Sequence, residues 1–328
     1  MAHRLTKLLH EYGIPPQLRG RIWSAALGNP LKISRELYDG LSSAGQSGVQ
    51  YEERAKRLAL LATDLPRTFP ALGNMFSAET SPYAKALTTL LQAYARFRPE
   101  LGDIGYVQGM SYLGAMVLMH GDVDGMCQDL FPAFVTLANL IDGTVLLPLL
   151  RMEPATTERY FQFFLHHFQA LLPELSAHFD NIGLHPSVFL VDWSYTLFCK
   201  SLPADVALWI WDRVLVHPDG DVYILKAAYG LLQILQPALL LEELEGCIKY
   251  LRNMQTMLQE LHADAGLGLF HTIDEVKLSM RHWQAFRSAL DQRAEPGGRQ
   301  QSAAAGWRTK LGEALGGLSS HAGATADV

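Results

Sequence analysis

Helix-periodic apolar segments follow one another along most of this chain, and little of the sequence shows the alternation expected of a strand. The clearest example begins at Ser81–Pro82, where a capping serine precedes a proline in the first helical turn. Apolar side chains then recur at three- and four-residue steps as far as Phe97. With 49% apolar residues, the chain can bury a sizeable core. This pattern predicts an all-α fold of many short helices.

Proline and glycine punctuation sets the expected helix boundaries. A glycine- and serine-rich stretch, Gly40–Gly48, is predicted to be a loop. The main predicted helices are Arg4–Tyr12, Gln17–Leu27, Glu52–Thr63, one from Pro82, Thr156–Leu172, Pro186–Ser201, Ala204–Val216, Val222–Leu235, Leu239–Met257 and Asp274–Gln292.

Composition limits the cellular compartments and the classes of partner that are expected for this chain. The net charge of −6 argues against nucleic acid as a main partner, because binding phosphate backbones requires a concentrated basic surface. Three widely spaced cysteines favour a reducing compartment over a disulfide framework. The long uncharged run Ile104–Gly121 contains glutamine, serine and histidine, so we expect a buried helix there and no membrane span. Ala, Gly and Ser make up about half of residues 294–328, which predicts a disordered tail.

An arginine lies on a predicted rigid turn between two prolines, Pro66 and Pro70. Pro66 cannot continue a helix interior, and Pro70 is expected to bias Phe69 toward extended geometry. Arg67 is therefore expected just outside a helix, with its side chain free to project.

A second candidate stretch, Gly105–Ser111, runs directly into an apolar helix-like segment. Gln108 is expected near the helix start, where backbone N–H groups lack helical partners. An exposed arginine and glutamine suit phosphoryl transfer. A guanidinium neutralises charge on the transferring group, and a carboxamide orients the attacking water. Neither residue type alone assigns that chemistry.

The motifs around these two residues resemble those of the TBC domain of Rab GTPase-activating proteins. Arg19 and Trp23 match Arg-x-x-x-Trp, and Leu61–Pro70 matches Ile-x-x-Asp-x-x-Arg-Thr-x-Pro with leucine in place of isoleucine. Gly105–Met110 matches Gly-Tyr-x-Gln-Gly-Met. Later blocks also resemble the family in order and spacing: Asp192–Trp193, Phe198, Leu202–Pro203 and Ile210–Asp212.

The resemblance implies a dual finger, with Arg67 and Gln108 as the catalytic residues supplied to a GTP-bound Rab. It implies an activator that has no reaction of its own and needs no cofactor or metal. GTP and magnesium would be bound by the Rab. The chain is expected to be a cytoplasmic monomer in vesicle trafficking, reaching endomembranes through the Rab. The TBC domain would span residues 1–293, with an active-site subdomain over about 1–179 and a second over about 180–293.

Six further residues are assigned supporting roles. Asp64 is expected to pair with and orient Arg67 or another arginine. Tyr106 is expected to brace the loop between Gly105 and Gly109 or to pack against the partner. Arg19 and Trp23 are expected to hold the first helix against the arginine turn.

Two other functions stay open on sequence grounds. A TBC-like scaffold would bind a Rab without accelerating hydrolysis, although such scaffolds are expected to lack a finger. A helical adaptor acting through the tail is a weaker alternative. The connection Glu100–Ile104 looks longer than is usual in the family and adjoins the glutamine motif.

Overall fold

The computed structural model describes residues 13–43, 49–78, 80–99, 101, 105–121, 128–217, 220–254 and 268–291, which form helices and turns and contain no β-strand. This confirms the predicted all-α class. The predicted helix Arg4–Tyr12, most of the connection Glu100–Ile104 and the tail 294–328 lie outside the described residues.

The helices are short and follow one another closely along the chain. They are α1 Pro16–Leu27, α2 Arg35–Ser43, α3 Val49–Asp64, α4 Pro82–Phe97, α5 Met110–Gly121, α6 Phe131–Gly143, α7 Leu146–Leu150, α8 Pro154–Leu171, α9 Pro173–Asn181, α10 Ser187–Tyr195, α11 Ala204–Val216, α12 Val222–Leu239, α13 Leu244–Arg252, α14 at 268–275 and α15 Met280–Asp291. Short 3-10 turns follow α3 at Leu65–Arg67 and Pro70–Leu72.

Helices α4 and α5 form the centre of the first half of the chain and pack against each other and against α6. The Ser81 hydroxyl accepts from the Ala84 N–H, so the predicted cap is confirmed. Helix α5 is buried from Met110 to Leu118. An apolar helix enclosed on all sides belongs to a protein core, as expected for this run.

Helix α1 packs against α5, α6 and α11, which joins the start of the described chain to a helix almost 200 residues later. Arg19 donates to both carboxylate oxygens of Asp212, at 3.0 and 3.1 Å, and Trp23 Nε1 donates to the same carboxylate at 2.9 Å. Arg19 and Trp23 therefore hold the first helix against α11, and the expectation that they hold it against the arginine turn is corrected. Burial raises the pKa of Asp212, which the bonds from Arg19 and Trp23 oppose.

Helix α12 is the core helix of the second half and packs against α8, α10, α11 and α13. Among the described residues it alone has the length and hydropathy to cross a membrane, and 67% of it is buried inside the fold. It continues to Leu239 through Pro237, beyond its predicted end at Leu235. Pro237 lies on the exposed side of the last turn, where water can satisfy a carbonyl that the proline leaves unbonded.

The predicted loop Gly40–Gly48 is partly wrong, because α2 extends to Ser43; residues 44–48 lie outside the described chain. Tyr38 is buried against the rings of Phe131 and Phe134, and the Leu41 carbonyl accepts from Arg96 Nη1 at 2.5 Å. These tertiary contacts outweigh the weak helix propensity of glycine and serine.

The predicted helix Asp274–Gln292 is also wrong in its first part, since residues 276–279 are not helical and α15 begins at Met280. The Asp274 carbonyl accepts from Lys226 Nζ at 3.0 Å, which occupies it with a tertiary partner. Ser279 then caps the new helix by accepting from the His282 N–H at 3.3 Å. Helices α10 and α13 are likewise shorter than predicted. The subdomain boundary near residue 180 stays a prediction.

Candidate functional site

Arg67 lies at the end of the 3-10 turn that follows α3, in the position that the two prolines predicted. Its side chain is 50% exposed. The Arg67 carbonyl accepts from the Tyr112 hydroxyl at 2.5 Å, which fixes the backbone from which the guanidinium projects. Arg67 is therefore anchored by its main chain and open to solvent at its side chain.

The expectation that Phe69 would be extended is wrong. Its backbone is left-handed, with φ 49° and ψ 62°, a conformation that costs a non-glycine residue about 1–3 kcal/mol. Its ring is buried and makes an edge contact with Tyr112, 5.4 Å between centroids, and a tilted one with Phe76 at 6.4 Å. Burial of this ring beneath the turn offsets the backbone strain.

Gln108 lies two residues before the first residue of α5 and is exposed, whereas the neighbours described on both sides are buried. Gly105 and Gly109, on either side of it, have φ of 73° and 97°. A side chain at Gly105 would place Cβ only 2.2 Å from the Ala95 carbonyl oxygen, so only glycine fits there. The loop thus exposes the Gln108 side-chain amide, while the residues on both sides of it are packed in the core.

The structure brings the two candidate catalytic residues into contact. When the Gln108 amide is oriented with its oxygen toward the guanidinium, that oxygen accepts from Arg67 Nη1 at 3.1 Å and from Nη2. Two exposed polar groups, far apart in sequence, therefore meet at one surface. The Gln108 amide nitrogen points away from the guanidinium and remains a donor.

Asp64, the last residue of α3, joins the arginine turn to the glutamine loop. Its buried carboxylate accepts from Arg67 Nε at 3.0 Å and from Nη2, from the Tyr106 hydroxyl at 2.5 Å, and from the Gly109 N–H at 3.2 Å. Burial, and next the charge of Asp64, raise the pKa of Tyr106, so its phenol stays protonated and donates. This bond ties the glutamine loop to the end of α3.

A second link between the two stretches was not predicted. The Thr68 hydroxyl donates to the Asp64 carbonyl and hydrogen-bonds Ser111 Oγ, both at 2.8 Å, and all three residues are buried. Thr68 lies inside one quoted motif and Ser111 directly follows another, but residue spacing carries no signal that they pair.

Arg67 and Gln108 lie at a cleft of about 560 Å³ whose walls come from both halves of the chain. Helix α3 contributes Lys56 and Leu60, and the glutamine loop and α5 contribute the next wall. A third part of the lining comes from Met152, from the end of α10 and from the turn that follows it. The residues of α10 and the turn are Val191, Asp192, Tyr195, Thr196 and Lys200. Sequence reasoning singled out Asp192 only as part of a family block and missed Lys200.

Comparison with known proteins agrees with the geometry. The sequence profile of the Rab-GTPase-TBC domain family matches residues 16–240. The chain therefore belongs to this family, and the family expected from the motifs is confirmed. Rab GTPases are the partner class that membership indicates at the level of the family.

Among proteins similar in sequence, TBC1 domain family member 14 of Homo sapiens is 32% identical over 297 residues, which cover 85% of this chain and 40% of that protein. The Bos taurus protein of the same name is 34% identical over 244 residues, covering 69% and 33%. Drainin of Dictyostelium discoideum is 30% identical over 284 residues, covering 72% and 62%. The chain thus spans about a third to two fifths of the two TBC1 relatives.

Two solved structures share the fold. The Chlamydomonas flagellar RabGAP TBC domain matches with a TM-score of 0.64 at 22% identity, covering 84% of each chain. The Ypt/Rab-GAP domain of Gyp1p matches with a TM-score of 0.66 at 16% identity, covering 88% of this chain and 94% of that domain. At this level of identity the likeness shows the fold.

Proposed function

We propose that this protein stimulates GTP hydrolysis by a Rab-family small GTPase, to which it supplies Arg67 and Gln108 in trans. The observation that carries the proposal is the contact between these two exposed side chains at the mouth of one cleft. Family membership supports the choice of partner.

The two side chains divide the chemistry between them. The Arg67 guanidinium is planar and always charged, and it offers a donor fork that matches the oxygens of a transferring phosphoryl group. The Gln108 carboxamide can accept one hydrogen bond through its oxygen and donate another through its nitrogen, so it can orient the attacking water. The bound GTPase would hold GTP and magnesium, so the chain itself requires no cofactor.

The surrounding residues act before the GTPase arrives. Asp64 holds the guanidinium through Nε and Nη2, and the Tyr112 hydroxyl holds the Arg67 carbonyl. Arg67 is thus preorganised, which reduces the ordering cost at docking. On docking, the Nη atoms that face Gln108 would turn to phosphate oxygens, and Gln108 would be released toward the water.

We further propose that the protein is a monomeric activator with no reaction of its own, that it binds the GTP-loaded state, and that it reaches endomembranes through the Rab. The absence of a reaction of its own accords with a site that a GTPase must complete, and family membership supports the Rab as the partner.

Single-turnover GTP hydrolysis by a panel of purified, GTP-loaded Rab GTPases tests the proposal. We expect the wild-type chain to stimulate at least one of them. Arg67→Ala and Arg67→Lys should each lose about 10³-fold or more, because lysine lacks the fork. Gln108→Ala should lose stimulation at an unchanged melting temperature. Exposed Arg21, outside the cleft, gives the control Arg21→Ala, which should behave like the parent.

Near-normal stimulation by the Arg67 variants would refute the assignment. Binding of a GTP-loaded Rab without stimulation by the wild type would establish the scaffold function instead.

A further inference from the structure

The part of the cleft lining that α10 contributes ends in a tightly folded turn. After α10 ends at Tyr195, Leu197 and Phe198 have φ of 44° and 65°, although both side chains are fully buried. Two successive left-handed residues reverse the chain, and the Trp211 Nε1 donates to the Leu197 carbonyl at 3.2 Å, which secures the reversal. The strain identifies a turn that the packed core maintains.

The reversal returns Lys200 to the end of α10. The Lys200 N–H donates to Thr196 Oγ1 at 3.4 Å, and Lys200 Nζ reaches the Asp192 carboxylate at 2.7 Å. The lysine side chain is nonetheless 37% exposed, against 18% for Asp192. An ammonium has three N–H donors, so a lysine held by one carboxylate can bond to a second acceptor.

The charge of the cleft is opposite in sign to that of the chain. Three cations line it, Lys56, Arg67 and Lys200, against the two carboxylates of Asp64 and Asp192. Asp64 is buried and accepts four hydrogen bonds, two of them from Arg67, and Asp192 pairs with Lys200, so the count of charges leaves the cleft with one excess positive charge. A chain of net charge −6 therefore presents a locally positive cleft, which favours an acidic partner surface.

We propose that Lys200 is a partner-recognition residue whose ammonium, held over the cleft by Asp192, binds a surface carboxylate of the docked GTPase. This inference rests on the proposed function. A lysine ammonium is a point charge that suits one carboxylate, whereas Arg67 already supplies the fork that matches phosphate. Lys200 thus acts in docking and takes no part in hydrolysis.

The test uses the GTPase of the panel that the wild-type chain stimulates, with steady-state hydrolysis measured at 50 and 200 mM NaCl, conditions that span strong and weak screening of exposed charges. Lys200→Gln should lower kcat/KM about fivefold or more through KM, leave kcat within about twofold, and flatten the salt dependence. Lys200→Arg should restore most of kcat/KM, and Lys200→Glu should lose more than Lys200→Gln. Exposed Lys249 on α13, outside the cleft, gives the control Lys249→Gln.

Parent-like kcat/KM in Lys200→Gln overturns the inference, and so does a gain in Lys200→Glu. A loss in kcat at saturating GTPase overturns it too, because it would place the ammonium on the nucleotide phosphates. A lowered melting temperature with no rescue by arginine would show a structural role.

Failure of the proposed function gives a different result. If the wild type stimulates no GTPase, binding of the GTP-loaded panel to immobilised chain replaces hydrolysis. Weaker binding by Lys200→Gln then supports recognition while refuting activation. Absence of binding by every GTPase refutes both.

Discussion

The carboxylate of Asp64 offers a quantitative test of how the site is built. Asp64→Ala leaves two buried donors, the Tyr106 hydroxyl and the Gly109 N–H, without the acceptor that the structure shows. Each orphaned buried donor costs about 1–3 kcal/mol, so we expect a loss of about 2–6 kcal/mol in the free energy of unfolding. Arg67 is half exposed and adds little, because water replaces its partner.

A double-mutant cycle isolates the hydrogen bond. Tyr106→Phe alone should cost only about 1 kcal/mol, because Asp64 keeps Gly109 and Arg67. In Asp64→Ala/Tyr106→Phe the orphaned hydroxyl is gone, so the double variant should be more stable than Asp64→Ala by about 1–3 kcal/mol. Guanidinium denaturation gives the values, with exposed Asp180→Ala as the control. Additive single effects, within about 0.5 kcal/mol, would refute the reasoning.

Two further predictions concern His120, in the last turn of α5, and Arg19, on α1. Burial, and next the charge of Arg19, lower the pKa of His120 from 6.5 to about 4. As the pH falls, His120 therefore takes up its proton in the unfolded chain at a higher pH than in the folded chain. The folded state consequently loses stability as the pH falls from 6.5 to 4. Urea denaturation should show that the free energy of unfolding of His120→Gln changes with pH over this window by up to about 3 kcal/mol less than that of the parent. An identical pH profile would contradict the lowered pKa of His120. Arg19→Lys loses the fork on Asp212 and should destabilise by about 1–3 kcal/mol while stimulated hydrolysis by the folded fraction stays unchanged; a loss of kcat at parental stability would give Arg19 a role in the site.

Much of the site could be predicted because its signals are local. The prolines around Arg67 and the glycines around Gln108 constrain the backbone within a few residues, and the structure has both side chains where that punctuation put them. Helix periodicity gave the class and most helices for the same reason.

What could not be predicted depends on contacts between distant residues. Phe69 is left-handed because its ring is buried against Tyr112, a partner that the rule for residues before proline does not see. Arg19 pairs with Asp212 across the fold, and Asp274 ends a periodic helix by bonding Lys226. Lys200 enters the cleft only because a strained turn reverses the chain.

The most direct test of the account is the structure of the complex between this chain and its Rab, loaded with GDP and aluminium fluoride as a mimic of the transferring phosphoryl group. The account predicts that the Arg67 guanidinium hydrogen-bonds the fluoride and that the Gln108 amide contacts the attacking water, within about 3 Å in each case. The account would be contradicted by a docked complex in which Arg67 lies away from the fluoride or Gln108 lies away from the attacking water. It would also be contradicted if the hydrogen bonds between Arg67 and Gln108 persisted in the complex.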